Sequence, residues 1–84
     1  MKLPDPYDGK ADLEAYDHWV FCVTNYAIVM RISDKTMIRV MADLVTGKAQ
    51  AFYMDYVASW QEHWTLATMF LAIFDYCFPN DIIQ

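Results

Sequence analysis

Leu44-Val45-Thr46-Gly47-Lys48-Ala49-Gln50-Ala51-Phe52-Tyr53 is the stretch on which the fold turns. Met37, Ile38, Met41, Leu44 and Val45 recur at helical spacing before it, and Phe52, Tyr53, Tyr56 and Val57 resume an apolar face after it. Gly47 offers the left-handed backbone that ends a helix without a Cβ penalty. The expectation is a corner: helix two, capped by Ser33, closes at Thr46-Gly47, and helix three runs at once from about Lys48 to Ala58.

Upstream, Asp12 suits an N-cap, with Glu14 in the first turn, for a helix reaching about Met30. Leu13, Tyr16, Val20, Val23, Ala27 and Met30 follow spacings of three and four, which predicts the core stripe. Trp19, Phe21, Cys22, Tyr26, Ile28 and Val29 widen it so far that the helix is either central or covered on a second side by another molecule. Downstream, Trp60-Gln61-Glu62-His63 reads as a polar connector, and Thr65 caps a fourth helix from Leu66 to about Tyr76. Its inner face is Leu66, Met69, Phe70, Ile73, Phe74 and Cys77; Pro79 stops it, and Phe78 is already leaving helical geometry.

Residues 1–11 hold Pro4, Pro6 and Asp8-Gly9, the signature of an extended, bent arm. Leu3 and Tyr7 are its apolar anchors, and Tyr7 is expected to bury its ring while its hydroxyl stays wet. The whole chain, 1–84, is thus expected to be one all-α domain. Its parts are the arm, a bundle of four helices over 12–79, and a segment 80–84 whose Asn80-Asp81 allows for a fifth helix begun and cut short.

Hydrophobic residues make up 57% of the chain and aromatic ones 17%, more than so small an interior hides, so apolar surface is left for a partner. A formal charge of -5, with six Lys and Arg against eleven acids, disfavours direct nucleic-acid contact and an anionic membrane surface. No run approaches about eighteen apolar residues, and Met1-Lys2-Leu3-Pro4-Asp5-Pro6 lacks a signal peptide's apolar core. An intracellular location is expected, in the cytoplasm or the nucleus, where Cys22 and Cys77 stay thiols and act as small buried hydrophobes.

Catalytic chemistry is not visible. Gly9 and Gly47 are too few for a phosphate loop, and Ser33 and Ser59 fit cap and connector positions. Asp17-His18 and Glu62-His63 are sequence neighbours, which diverge by about 100° on a helix. His18 and Cys22 share a helix face as two metal ligands would, but no second pair accompanies them, so neither a metal nor a cofactor is expected. Met37, Met41 and Met69 fit core positions; Met30 and Met54 stay open, as does the choice between core and interface for Phe52, Tyr53, Tyr56 and Trp60.

Taken in order, these residues resemble the Gag capsid region of gypsy-type LTR retrotransposons. The carriers are the apolar helix end, the corner Thr46-Gly47-Lys48-Ala49 and the aromatic pair Phe52-Tyr53, where that family commonly has Trp-Trp or Trp-Phe. Tyr7-Asp8-Gly9 is similar to the family's aromatic-x-Gly opening, and Tyr16 to Phe21 to its aromatic-x-x-Trp first helix. Trp64 with Phe70, Phe74 and Phe78-Pro79 is similar to its final helix, and Asp75 to Pro79 looks like Gag copies from fungal genomes. The likeness covers about residues 6–81 and is confined to the N-terminal capsid lobe, since a second lobe and a zinc knuckle are not in the sequence.

The resemblance implies a retroviral-capsid-like N-terminal lobe, without enzymatic activity, whose partner is itself: lobe-lobe contacts build a shell. The related neuronal Arc lobe implies an alternative, a domesticated adaptor that binds short apolar peptides in a groove beside the arm. Carried over, the groove takes in Tyr7, Tyr16, Val23, Leu44 and Thr46, with Phe52 and Tyr53 supporting it, while Trp19 and Tyr56 join as interface candidates. Gly47 keeps a structural role only. An enzyme would need a cleft that joins His18 or His63 to an acid.

Overall fold

Asp12, Ser33 and Thr65 each end a stretch of extended backbone and turn a side-chain oxygen onto the first free amides of a helix. They accept from Ala15, Thr36 and Thr68 respectively, and Thr65 and Thr68 cap each other reciprocally. These caps start three of the four helices of an all-α fold, seen in a computed structural model that describes residues 2–78. The helices are α1 (Leu13–Val29), α2 (Asp34–Val40), α3 (Gly47–Phe52) and α4 (Leu66–Cys77). A 3-10 turn at Met41–Asp43 follows α2; a π-turn at Tyr53–Val57 and a 3-10 segment at Ala58–His63 continue α3. The expected stop at Pro79 and the segment 80–84 lie outside the described residues.

α1 and α4 run alongside each other in opposite directions. Tyr16, near the start of α1, sits 5.3 Å and 5.7 Å from the Phe74 and Phe78 rings, and Trp19, one turn on, meets Phe70 edge-on at 5.4 Å. The Tyr16 hydroxyl donates to the Phe70 carbonyl at 2.5 Å, so the pair is held by a directed bond as well as by burial. Met37, Ile38, Met41, Leu44, Val57, Met69 and Ile73 fill the remaining interior and are fully buried. The three methionines expected in the core are there; Met30 and Met54 are exposed. Phe78 has left the helix for extended backbone, as the residue before a proline tends to do.

The core stripe of α1 differs from the one its spacing suggests. Tyr16, Trp19, Val23 and Ala27 are buried, whereas Leu13 and Met30, placed in the stripe by alternating steps of three and four, are exposed. Leu13, in the first turn, stands about 75° from the middle of the buried face at 100° per residue, and Met30 is the C-cap, past the last helical residue Val29, so the helix no longer holds it against the core. The end of α2 also differs. It stops at Val40, not at the glycine, because Leu44 to Thr46 is drawn out of helical geometry by the arm.

Candidate interaction surfaces

The arm is tied to the corner by backbone alone. Tyr7 donates its amide to the Leu44 carbonyl at 3.1 Å and accepts from the Thr46 amide at 2.9 Å, a short parallel bridge with Val45. The Lys48 amide then donates to the Asp8 carbonyl at 3.0 Å. Thr46 makes no side-chain cap on α3, so the arm supplies the acceptor that a capping residue would otherwise supply. Gly47 does hold a positive φ of 54°, but as the first residue of α3, not the terminator of α2. Its bareness has a second cause: an added Cβ would lie 2.7 Å from the Asp8 carbonyl oxygen. Gly9, at φ 90°, is closed off in the same way, with the Ala49 nitrogen 2.7 Å from where its Cβ would stand.

Most of the expected groove is interior. Tyr7, Tyr16, Trp19, Val23, Leu44, Phe52 and Tyr53 are all buried, and only Thr46 and Tyr56 face solvent. The arm itself occupies the place a groove would need: the Tyr7 ring stacks on Trp19 at 5.3 Å and meets Tyr16 at 5.8 Å. Its hydroxyl is not left to water but donates to the Lys10 carbonyl. Trp19 Nε1 donates to the Leu44 carbonyl at 3.0 Å, and the Tyr53 hydroxyl donates to the Ile38 carbonyl at 2.8 Å while accepting from Gln61. Burial raises the Tyr16 hydroxyl to about 12, with Asp17 adding to the effect, and pushes Tyr7 and Tyr53 upward as well. These tyrosines serve as neutral donors that lock elements together. What remains beside the arm is a cleft of about 720 Å³ between Lys2–Asp8 and α1, with Tyr7, His18, Trp19, Cys22 and Thr46 among its walls.

Much of the exposed apolar side-chain surface gathers on two other faces, on either side of α4. The first is aromatic. Phe52, half of the expected pair, lies 5.3 Å from Tyr56, 6.1 Å from Trp64 and 5.2 Å from Tyr76, and Lys48 Nζ stands 5.5 Å above the Tyr76 ring. Trp60 extends this face against His63, and Tyr56 and Trp60 are 53% and 62% exposed. The π-turn explains Tyr56: a straight helix would carry Ala49, Phe52, Tyr53 and Tyr56 on one side, but the wider turn passes the inward position to Val57 and swings Tyr56 out. The second face belongs to α1 and α4, where Phe21 and Ile28 are 69% exposed and Leu71 67%. Thr68, Ala72 and Tyr76 of α4 line hollows in the aromatic face, and Ala67 and Phe70 line one beside Thr24 and Ile28.

The segment Trp60 to His63, expected to be a connector, is the end of the 3-10 segment with a break in backbone geometry at Trp60. Cys77 is buried as expected, and burial raises its thiol; Cys22 is half-buried. Among the described residues no three His, Cys, Asp or Glu side chains converge to hold a metal ion, and no helix is long and apolar enough to cross a membrane. Compared with family models, with curated proteins and with solved structures, the chain gives no match.

Proposed function

We propose that this chain is a structural, non-enzymatic self-assembly domain of the capsid type, joined to copies of itself through its exposed apolar faces. The observation that carries the reading is the pair of faces flanking α4, one built on Tyr56 and Trp60 and the other on Phe21, Ile28 and Leu71. A shell or ring needs two patches on each copy, one to give and one to receive, because a single self-complementary patch closes at a dimer. At these exposures, and with a large apolar side chain presenting roughly 150–250 Å², each face offers on the order of 200–400 Å² of apolar side chain, half or less of the ~800 Å² per partner of a standard interface. Joins of that size are individually weak and reversible, which lets an assembling shell correct its errors. The ordered likeness to the Gag lobe, from Tyr7-Asp8-Gly9 to Phe78-Pro79, supports the same reading.

The test is association of the chain at rising concentration, with Trp60→Glu on one face and Phe21→Glu on the other. Each variant should cap growth at small oligomers, and the two together should hold the chain monomeric. A wild-type chain that stays monomeric throughout overturns the proposal.

The cleft beside the arm favours a second reading, an adaptor that binds short apolar peptides there. Against it, the residues the resemblance assigns to the groove are packed as core, with Tyr7 in the place of a ligand. A peptide array with no binder above background would end that reading.

A further inference from the structure

Four aromatic side chains from separate parts of the sequence meet around one hollow of about 360 Å³. Phe52 ends α3, the π-turn swings Tyr56 outward, and Trp64 and Tyr76 reach Phe52 from the two ends of α4, with ring centroids at 6.1 Å and 5.2 Å. Phe52 is buried beneath the others, while Tyr56, Trp64 and Tyr76 keep part of their surface open. The rings are inclined like adjacent walls of a box, Phe52 to Trp64 at 80° and Tyr56 to Tyr76 at 64°. Among the described residues, Ala72 and the exposed Asp75 complete the lining.

Such walls suit a cation. The face of an aromatic ring attracts positive charge within about 6 Å of its centroid, and Lys48 Nζ, which does not itself line the hollow, already stands 5.5 Å from the Tyr76 centroid. A bare ammonium is a poor occupant. It brings three N–H donors, Asp75 is the one charged acceptor in the walls, and donors left without acceptors oppose burial. Methyl groups on the nitrogen remove those donors, keep the charge and add apolar surface for the rings to cover. We propose that Phe52, Tyr56, Trp64 and Tyr76 form a cage for the methylated ammonium of a modified lysine in a basic peptide, with Asp75 facing its charge. The peptide's sign follows from the chain's own: a formal charge of -5 and an acid in the wall attract a basic segment, whereas the phosphate beside a choline headgroup would meet Asp75.

The hollow lies within one copy, so this inference does not rest on assembly. Because Tyr56 also belongs to a face assigned to the joins, binding is read at concentrations where the chain is monomeric. Labelled basic peptides are titrated with the 84-residue chain and followed by fluorescence anisotropy. At one position they carry trimethyllysine, unmodified lysine, or the neutral isostere with tert-butyl in place of trimethylammonium. The trimethyllysine peptide should bind about tenfold more tightly than either of the others, and free tetramethylammonium should displace it. Tyr56→Leu and Tyr76→Leu, both at partly exposed positions, should each weaken binding about tenfold, and Asp75→Asn about threefold. Met54→Ala, exposed and outside the hollow, should leave it unchanged. No binding of the trimethyllysine peptide, equal binding of the lysine or tert-butyl peptide, or full affinity in Tyr76→Leu would overturn the proposal. Capture by phosphatidylcholine vesicles in place of the peptide would overturn it too, by assigning the hollow to a lipid headgroup.

Discussion

Replacing Gly47 by alanine perturbs the arm and the corner at the same atom. The backbone there has φ 54°, a region that costs an L-residue about 1–2 kcal/mol. The new Cβ would also lie 2.7 Å from the Asp8 carbonyl oxygen, so the arm must move, and the Lys48 amide loses or stretches its 3.0 Å bond to that oxygen. A hydrogen bond of this kind contributes about 0.5–1.5 kcal/mol, which brings the expected loss to about 2–3 kcal/mol. In a domain of this size that lowers the melting temperature by roughly 10–20 °C. Urea unfolding gives the free energy, and amide exchange at Thr46 and Lys48 gives its location, since both amides bond to the arm. Gly47→Asn separates the causes: asparagine tolerates the left-handed region but carries the same Cβ, so it should recover the conformational part and not the arm contact. A loss below about 0.5 kcal/mol in Gly47→Ala, with exchange at both amides unchanged, would refute this description of the corner.

Among the described residues Arg31 is the non-glycine residue at positive φ, 56°, where α1 ends in bonds from Arg31 to Ile28 and from Ile32 to Ala27; Arg31→Gly should raise stability by about 0.5–1 kcal/mol in denaturant unfolding. Tyr53→Phe removes a buried donor to Ile38 and the acceptor for Gln61, and should cost about 1–2 kcal/mol by the same assay. The buried tyrosines make stability depend on alkaline pH. Their folded pKa values are raised above the ordinary 10, and that of the buried Cys77 thiol above its ordinary 9.0, so the unfolded chain loses these protons first; stability starts to fall from about pH 9 through Cys77 and falls further as pH rises through about 12 through the tyrosines, the part that Tyr16→Phe should blunt in melts across that range.

Helix existence, cap residues and the buried methionines were legible because each rests on a local rule: Asp12, Ser33 and Thr65 announce their helices, and Met37, Met41 and Met69 fall at helical spacing. Tyr7 as the arm's anchor was legible for its size alone. The destination of its hydroxyl was not, because Lys10 reaches it only once Asp8-Gly9 has turned. The early stop of α2 depends on the arm pairing with Leu44 and Thr46, a contact across more than thirty residues that no window of sequence contains. The outward swing of Tyr56 depends on a π-turn, which has no period of its own to read. Family likeness placed the groove on residues that physical packing needs for the core, and in a chain this small the core takes precedence.

Sedimentation equilibrium of the chain over a concentration series, at low and high salt and with chelator present, tests the central claim most directly. The self-assembly reading predicts a weight-average mass that rises above 9.9 kDa with concentration, and rises further with salt as repulsion between chains of charge -5 is screened. Phe21→Glu with Trp60→Glu should flatten the curve. A mass of 9.9 kDa at every concentration up to the millimolar range, in either salt, would contradict it.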